Sequence, residues 1–220
     1  MNELQAEKYY DQLAVKYDQA TANSWAAPMQ IESITTNVSN KETSVLDIGI
    51  GTGQSIHGLY NSQNFKLIEG IDVSEEMIKY CKESYPDVIL HKGDFLQFNN
   101  FQLSQYDLII CCGTLEFINN LESFLKKCSS LLAKNGNLVI TFEPRIDGHS
   151  VQGKSISEVK SERLIGVEGF MTYRHDLDYF KITAEKSGLQ IKKQSLFVSY
   201  RKLDVEVVYM IVHLKRLNEY

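Results

Sequence analysis

Asp47 stands two residues ahead of alternating glycines at Gly49, Gly51 and Gly53, and a second acid, Asp72, follows 23 residues beyond Gly49. Backbone without Cβ takes dihedrals other residues avoid and lets a ligand lie against the peptide plane, near the N–H groups of a helix start. Three glycine turns share this outline. A phosphate-cradling loop needs Lys and Ser/Thr directly after its last glycine, but Gly58 is followed by Leu59 and Tyr60, so no cation would meet a phosphate. A dinucleotide turn places its third glycine three residues after the second. Here Gln54 follows Gly51 and Ile56 follows Gly53 at that distance, which weakens the match. An acid at Asp47 would repel a pyrophosphate and favour a ligand carrying an ammonium group. Asp72 closes the next apolar run and is placed to accept both hydroxyls of a ribose, whichever adenine nucleoside is bound.

The elements that must position these residues are legible in the apolar spacing. A strand over 45–48 runs through the glycine turn into a helix over 54–60, with Ile56, Leu59 and Tyr60 at helical spacing. A strand over 65–72 precedes a helix over 75–84 that Ser74 can cap. Pro86 then breaks the chain before a short strand at 88–91, and Lys92-Gly93-Asp94-Phe95 follows. Asp94 can accept from the exocyclic amine of an adenine, with Phe95 beside it, or can satisfy its own turn. Residues 106–112 are apolar after Asp107, as in a parallel strand buried on both faces. A helix over 121–133 is expected to close at Lys134-Asn135-Gly136, before a strand over 137–143. Residues 144–170 hold four glycines and few aligned apolar residues, a long segment suited to walling a site. A helix then runs to 186, and strands over 190–200 and 205–214 are joined by 201–204. Ahead of the core, residues 3–18 form an amphipathic helix with Tyr10 and Tyr17 on its aromatic stripe. Trp25 follows in a hinge-like stretch that could close over a substrate, and a second helix runs from Pro28 to about 38.

Four segments in this order resemble the class I methyltransferases that use S-adenosylmethionine: Val45–Gly53, Glu69–Met77, Gly93-Asp94-Phe95 and Tyr106–Phe117. The match covers roughly residues 9–200. The resemblance implies an α/β fold, a Rossmann-like seven-stranded mostly parallel sheet with a C-terminal antiparallel hairpin strand and helices on both faces. It implies S-adenosylmethionine as cofactor, held by Gly49, Gly51, Gly53 and Asp72, with Val73 and Met77 flanking the adenine. Backbone carbonyls at Cys112 would face the methionine ammonium, and Glu116 and Phe117 would lie over the sulfonium. Tyr10-Asp11 and Tyr17-Asp18 resemble the element that covers the cofactor in small-molecule members, including the Williams-Beuren-region type. Many relatives place a histidine where Ile118-Asn119-Asn120 stands here. A single domain over 1–220 is expected: a helical lid over 1–40, a cofactor core over 41–143, a variable substrate side over 144–175, and a closing helix and hairpin over 176–220.

The 220 residues carry 23 Lys and Arg against 28 Asp and Glu, a net charge of −5, which disfavours a nucleic-acid substrate. Four cysteines lack C-x-x-C spacing, and Cys111 and Cys112 should point to opposite faces of their strand. No apolar run approaches the ~20 residues of a membrane span, and a cytoplasmic monomer or homodimer without metal is expected. Methyl transfer from a sulfonium needs chiefly an aligned nucleophile; a base matters where the acceptor is protonated. His175 is the candidate base, in a polar cluster with Tyr173, while Glu143 and Arg145 could orient a charged acceptor. The absence of an Asp/Asn-Pro-Pro-aromatic signature argues against amino-methylation of nucleic-acid bases. The sequence therefore points to methyl transfer to an oxygen, nitrogen or carbon of a small metabolite. A nicotinamide-dependent oxidoreductase and a non-catalytic cofactor-binding module are the alternatives.

Overall fold

The computed structural model describes residues 2–159, 164–202 and 204–217. Residues 160–163 of the glycine-rich segment and Leu203, in the expected join of the last two strands, lie outside them. Two helices, α1 (Asn2–Thr21) and α2 (Ala27–Val38), precede β1 (Ser44–Ile48), a 3₁₀ turn at Gln54–Ile56 and α3 (His57–Ser62). β2 (Leu67–Asp72), α4 (Glu75–Ser84), β3 (Ile89–Lys92) and β4 (Tyr106–Cys112) follow, then a 3₁₀ turn at Leu115–Phe117, α5 (Leu121–Leu131) and β5 (Leu132–Phe142). The chain ends with β6 (Ile156–Val159), β7 (Phe170–Tyr173), α6 (Leu177–Lys186), β8 (Leu189–Lys202) and β9 (Val205–Arg216).

The main sheet has seven strands in the order β3-β2-β1-β4-β5-β9-β8. The first five are parallel, and β9 enters antiparallel between β5 and β8. Alternate residues of β4 serve opposite layers: Ile109 and Cys111 pack with Phe124 and Cys128 of α5 and Phe180 of α6, while Leu108, Ile110 and Cys112 pack with Ile31 of α2 and Leu59 of α3. The strand is thus apolar throughout because both of its faces are covered. Among the described residues no helix is long and apolar enough to cross a membrane.

Two expectations are corrected. Lys134-Asn135-Gly136 does not close α5. The helix stops at Leu131, Leu132 turns to φ −78°, ψ 134°, and the β4–β5 ladder steps from Tyr106/Leu132 to Leu108/Asn137. Residues 133–136 form a bulge with Asn135 at φ 63°. Leu132 is fully buried, so its apolar character served strand and helix periodicities alike. The segment after β5 also has structure of its own, since β6 and β7 pair antiparallel.

Candidate cofactor and acceptor site

A cavity of about 310 Å³ opens at the C-terminal ends of β1 to β4, beneath α1. At its base, the N–H groups of Gly49 and Ile50 donate to the Ile71 carbonyl at 2.8 and 3.1 Å, tying the glycine turn to β2. Gly51 N–H donates to Asp72 Oδ2 at 2.8 Å and Ser74 N–H to Oδ1 at 2.9 Å. The Asp72 carboxylate is thereby fixed in orientation and keeps lone pairs for the cavity it lines. Burial pushes its pKa up, the backbone donors of Ser74, Gly51 and Val73 pull it down, and Asp11 pushes it up.

The three glycines have different reasons to be glycine. Gly49 backs onto the Thr114 side chain. At Gly53, with φ 91°, a Cβ would fall 2.5 Å from the Tyr85 ring, and Gly53 is absent from the cavity lining. Gly51, at φ 54°, faces open space: a Cβ there meets nothing within 4 Å. Below the turn, Asp47 is fully buried; Ser55 Oγ donates to its Oδ2, while Oδ1 has no partner. Burial pushes this carboxyl up to about 7, against the Ser55 hydrogen bond, which lowers it.

Val73, Met77, Asp94, Phe95 and Cys112 line the same cavity. Ser74 Oγ caps α4 at Met77 N–H, 3.1 Å. Asp94 Oδ1 accepts from Leu96 N–H at 2.9 Å, so the side chain satisfies its own turn while lining the cavity. Tyr10 and Tyr17 reach in from α1. The aspartates beside them hold the helix down: Asp11 accepts from Ser74 Oγ at 2.6 Å and Glu76 N–H at 3.2 Å, and Asp18 from Thr52 Oγ1 at 2.5 Å and Gln54 Nε2 at 2.7 Å.

Residues 46–138 match the family model described as a methyltransferase domain. A putative S-adenosylmethionine-dependent methyltransferase from Listeria monocytogenes shares the fold, with a TM-score of 0.70, 17% identity and coverage of 88% of this chain and 99% of that one. The malonyl-[acyl-carrier protein] O-methyltransferase of Priestia megaterium is 30% identical over 144 residues, 64% of this chain and 52% of that protein. Over residues 46–138 the chain is thus similar to a methyltransferase domain, and its fold is that of S-adenosylmethionine-dependent methyltransferase structures. A relative from Methanocaldococcus jannaschii, described as an uncharacterized protein, is 27% identical over 154 residues, 70% of this chain. The chain spans between 52% and 68% of the length of these curated relatives. The open space at Gly51, on the cavity lining, is a place where a ligand such as the cofactor of those methyltransferases can settle.

On the acceptor side, the structure brings Trp25 and Tyr173 to the cavity and leaves four other expected residues outside its lining. His175 is buried, and its Nε2 lies 3.0 Å from the Ile118 carbonyl. Burial lowers its pKa, while the carbonyls of Ile118 and Leu115 raise it. Glu143 is buried in an ion pair with Arg174 Nε, and Tyr200 Oη reaches its other oxygen at 3.5 Å. Glu116 is buried behind the cavity wall and accepts from Glu143 N–H at 2.8 Å. Burial raises its pKa to about 7, while the Glu143 N–H and the Tyr209 hydroxyl act to lower it, and its Oε2 has no hydrogen-bond partner among the described residues. Arg145 turns to Asp176 at 3.1 Å and Asp147 at 3.2 Å. His175, Glu143 and Arg145 thus engage neighbours in the fold. Sequence reasoning missed Thr114, Asn119 and Asn120 in the lining and the anchoring by Asp11 and Asp18. The repeated Tyr-Asp pair, seven residues apart on one helix, was the available signal, because seven residues bring each pair back to the same face.

Proposed function

We propose that the chain transfers the methyl group of S-adenosylmethionine to a nucleophilic atom of a small-molecule acceptor. The observation that carries this reading is one roofed cavity with two unlike ends. Asp72 and Asp94 lie toward β2 and β3, and Trp25, Phe117 and Tyr173 lie toward β4 and β7. Its volume sits at the lower end of the ~300–1,000 Å³ usual for small-ligand sites. When bound, S-adenosylmethionine supplies a sulfonium whose methyl carbon is electrophilic. Asp72 would hold the ribose hydroxyls, and Val73, Met77 and Phe95 would enclose the adenine with Asp94 beside it. Gly49, Gly51 and the backbone after Cys112 would receive the methionine portion. Residues 1–40 would act as the lid, 41–143 as the cofactor core and 144–175 as part of the acceptor wall.

Holding an acceptor atom in line with the methyl carbon can contribute ~7–11 kcal/mol, so the wall needs shape more than a dedicated catalytic group. With His175 held at the Ile118 carbonyl, this reading assigns it no proton transfer. A small acceptor also suits α1, whose anchored position leaves little room for a folded macromolecule over the cavity. The Priestia megaterium relative is named for a malonyl group on a carrier protein, so a small group delivered on a carrier belongs to the same reading. Incubation with S-adenosylmethionine and pooled small-molecule acceptors, with S-adenosylhomocysteine measured as product, tests the proposal. Acceptor-dependent product is expected; methyl transfer only to protein side chains or to nucleic acid, and to no free or carrier-borne small molecule, would overturn it.

A further inference from the structure

Four rings form a continuous arc along the acceptor end. Trp25 meets Tyr17 at 6.4 Å between centroids, Tyr17 meets Tyr10 at 6.1 Å, and Tyr10 meets Phe117 at 5.7 Å, with interplanar angles of 70° to 80°. All four, with Tyr173, line the cavity. The Trp25 indole packs on Gly113, where a Cβ would fall 2.6 Å from it, and the Trp25 backbone N–H donates to the Thr21 carbonyl at 3.1 Å. Polar side chains in the same lining include the amides of Asn119, Asn120 and Gln54 and the hydroxyl of Thr114, with Gln54 bonded to Asp18 and Thr21 and Asn120 Oδ1 accepting from Ser123 N–H. Of the charged groups nearby, Arg174 pairs with Glu143, Arg145 with Asp176 and His175 with the Ile118 carbonyl, while Oε2 of the buried Glu116 beside Phe117 has no partner among the described residues.

We infer that the acceptor atom is an amine nitrogen, held as its methylated ammonium product in this aromatic arc. The inference rests on the proposed methyl transfer and names its substrate class. The nitrogen lone pair forms the new N–C bond while the electron pair of the breaking S–C bond stays on sulfur. A tertiary amine then becomes a quaternary ammonium with no proton to lose, and a secondary amine releases one proton to water. Positive charge moves a few ångströms, from sulfur to nitrogen, and stays beside ring faces that attract cations. Transfer to a carboxylate or phenolate would instead cancel charge, and its ground state would place an anion against the negative faces of the rings.

The test uses three probes of matched shape: choline, its carbon isostere 3,3-dimethylbutan-1-ol, and the anion 3,3-dimethylbutyrate. Each is titrated by calorimetry into the full chain saturated with S-adenosylhomocysteine, whose own affinity is measured first. Choline should bind on the order of 5- to 30-fold more tightly than the alcohol, and the anion most weakly. Trp25→Leu should reduce the choline preference to near unity while Trp25→Phe retains it, with S-adenosylhomocysteine affinity reporting that both variants fold. Equal binding of choline and alcohol, preference for the anion, or no binding of any probe overturns the amine assignment. Failure to bind S-adenosylhomocysteine at all would instead remove the methyl-transfer reading.

Discussion

The acid end of the cavity lies at the C-terminal ends of three adjacent parallel strands, with Asp72 at the end of β2 and Gly51 and Asp94 in the turns after β1 and β3. The aromatic end draws on α1, the α1–α2 connection, the turn after β4, and β7. Strand ends and short local hydrogen bonds fix the first: the ladder places Asp72, Gly51 N–H donates to its carboxylate, and Asp94 accepts from Leu96 N–H. Side-chain packing between elements distant in the chain, such as Tyr10 with Phe117 and Trp25 with Gly113, fixes the second. The acid end should therefore tolerate little change, whereas the aromatic end can be reshaped around another acceptor with the cofactor geometry retained.

Asp72→Ala should break the acid end outright. The ribose loses charged hydrogen bonds of ~1.5–3 kcal/mol, and cofactor affinity falls by about 100-fold while circular dichroism shows the fold intact. Tyr173→Ala should raise the acceptor KM and leave S-adenosylhomocysteine affinity unchanged. A parallel loss of cofactor affinity would mean that the two ends are not separable.

Within the glycine turn the contrast sharpens further. Gly53→Ala forces a methyl group against Tyr85 at a left-handed backbone, combining ~1–3 kcal/mol of overpacking with ~1–2 kcal/mol of backbone cost. It should lower the melting temperature well beyond Gly51→Ala. Gly51→Ala carries only the backbone cost but places its methyl group in the open cavity, so its larger effect should be on cofactor affinity, measured by calorimetry.

Asp47 links charge to stability. Its carboxyl titrates near 7 in the fold against an ordinary value of 3.8, so the folded state binds the proton more tightly than the unfolded chain. This contribution to stability is fully present below about pH 4 and is lost as pH rises to about 7. Asp47→Asn should flatten the fall in melting temperature across that window, although Glu116, displaced in the same direction, keeps part of the slope. The smallest effect is expected from Asp18→Asn, which weakens the anchoring of α1 to Thr52 and Gln54. Cofactor release should quicken by about 2- to 10-fold in stopped-flow fluorescence, corresponding to ~0.5–1.5 kcal/mol.

The same contrast explains what the sequence revealed. Val45–Gly53 and Asp72 were legible because strand, turn and helix start are local patterns, and Asp72 follows within the next strand. Tyr10, Tyr17 and Trp25 could be singled out by type, yet their meeting with Phe117 depends on how α1 docks across the sheet. Glu116, Glu143 and His175 looked chemical by type, but burial and partners distant in the chain hold them to the framework. Leu132 misled for another reason: an apolar residue at a helix end satisfies strand spacing equally, and its pairing with Tyr106 decides the matter.

Calorimetric titration of the wild-type chain and Asp72→Ala with S-adenosylhomocysteine, and separately with NAD, tests the central claim most directly. One-site binding of S-adenosylhomocysteine, weakened about 100-fold in the variant, with no heat from NAD, is the predicted result. Binding of NAD in its place, or an affinity for S-adenosylhomocysteine untouched by loss of the Asp72 carboxylate, would contradict it.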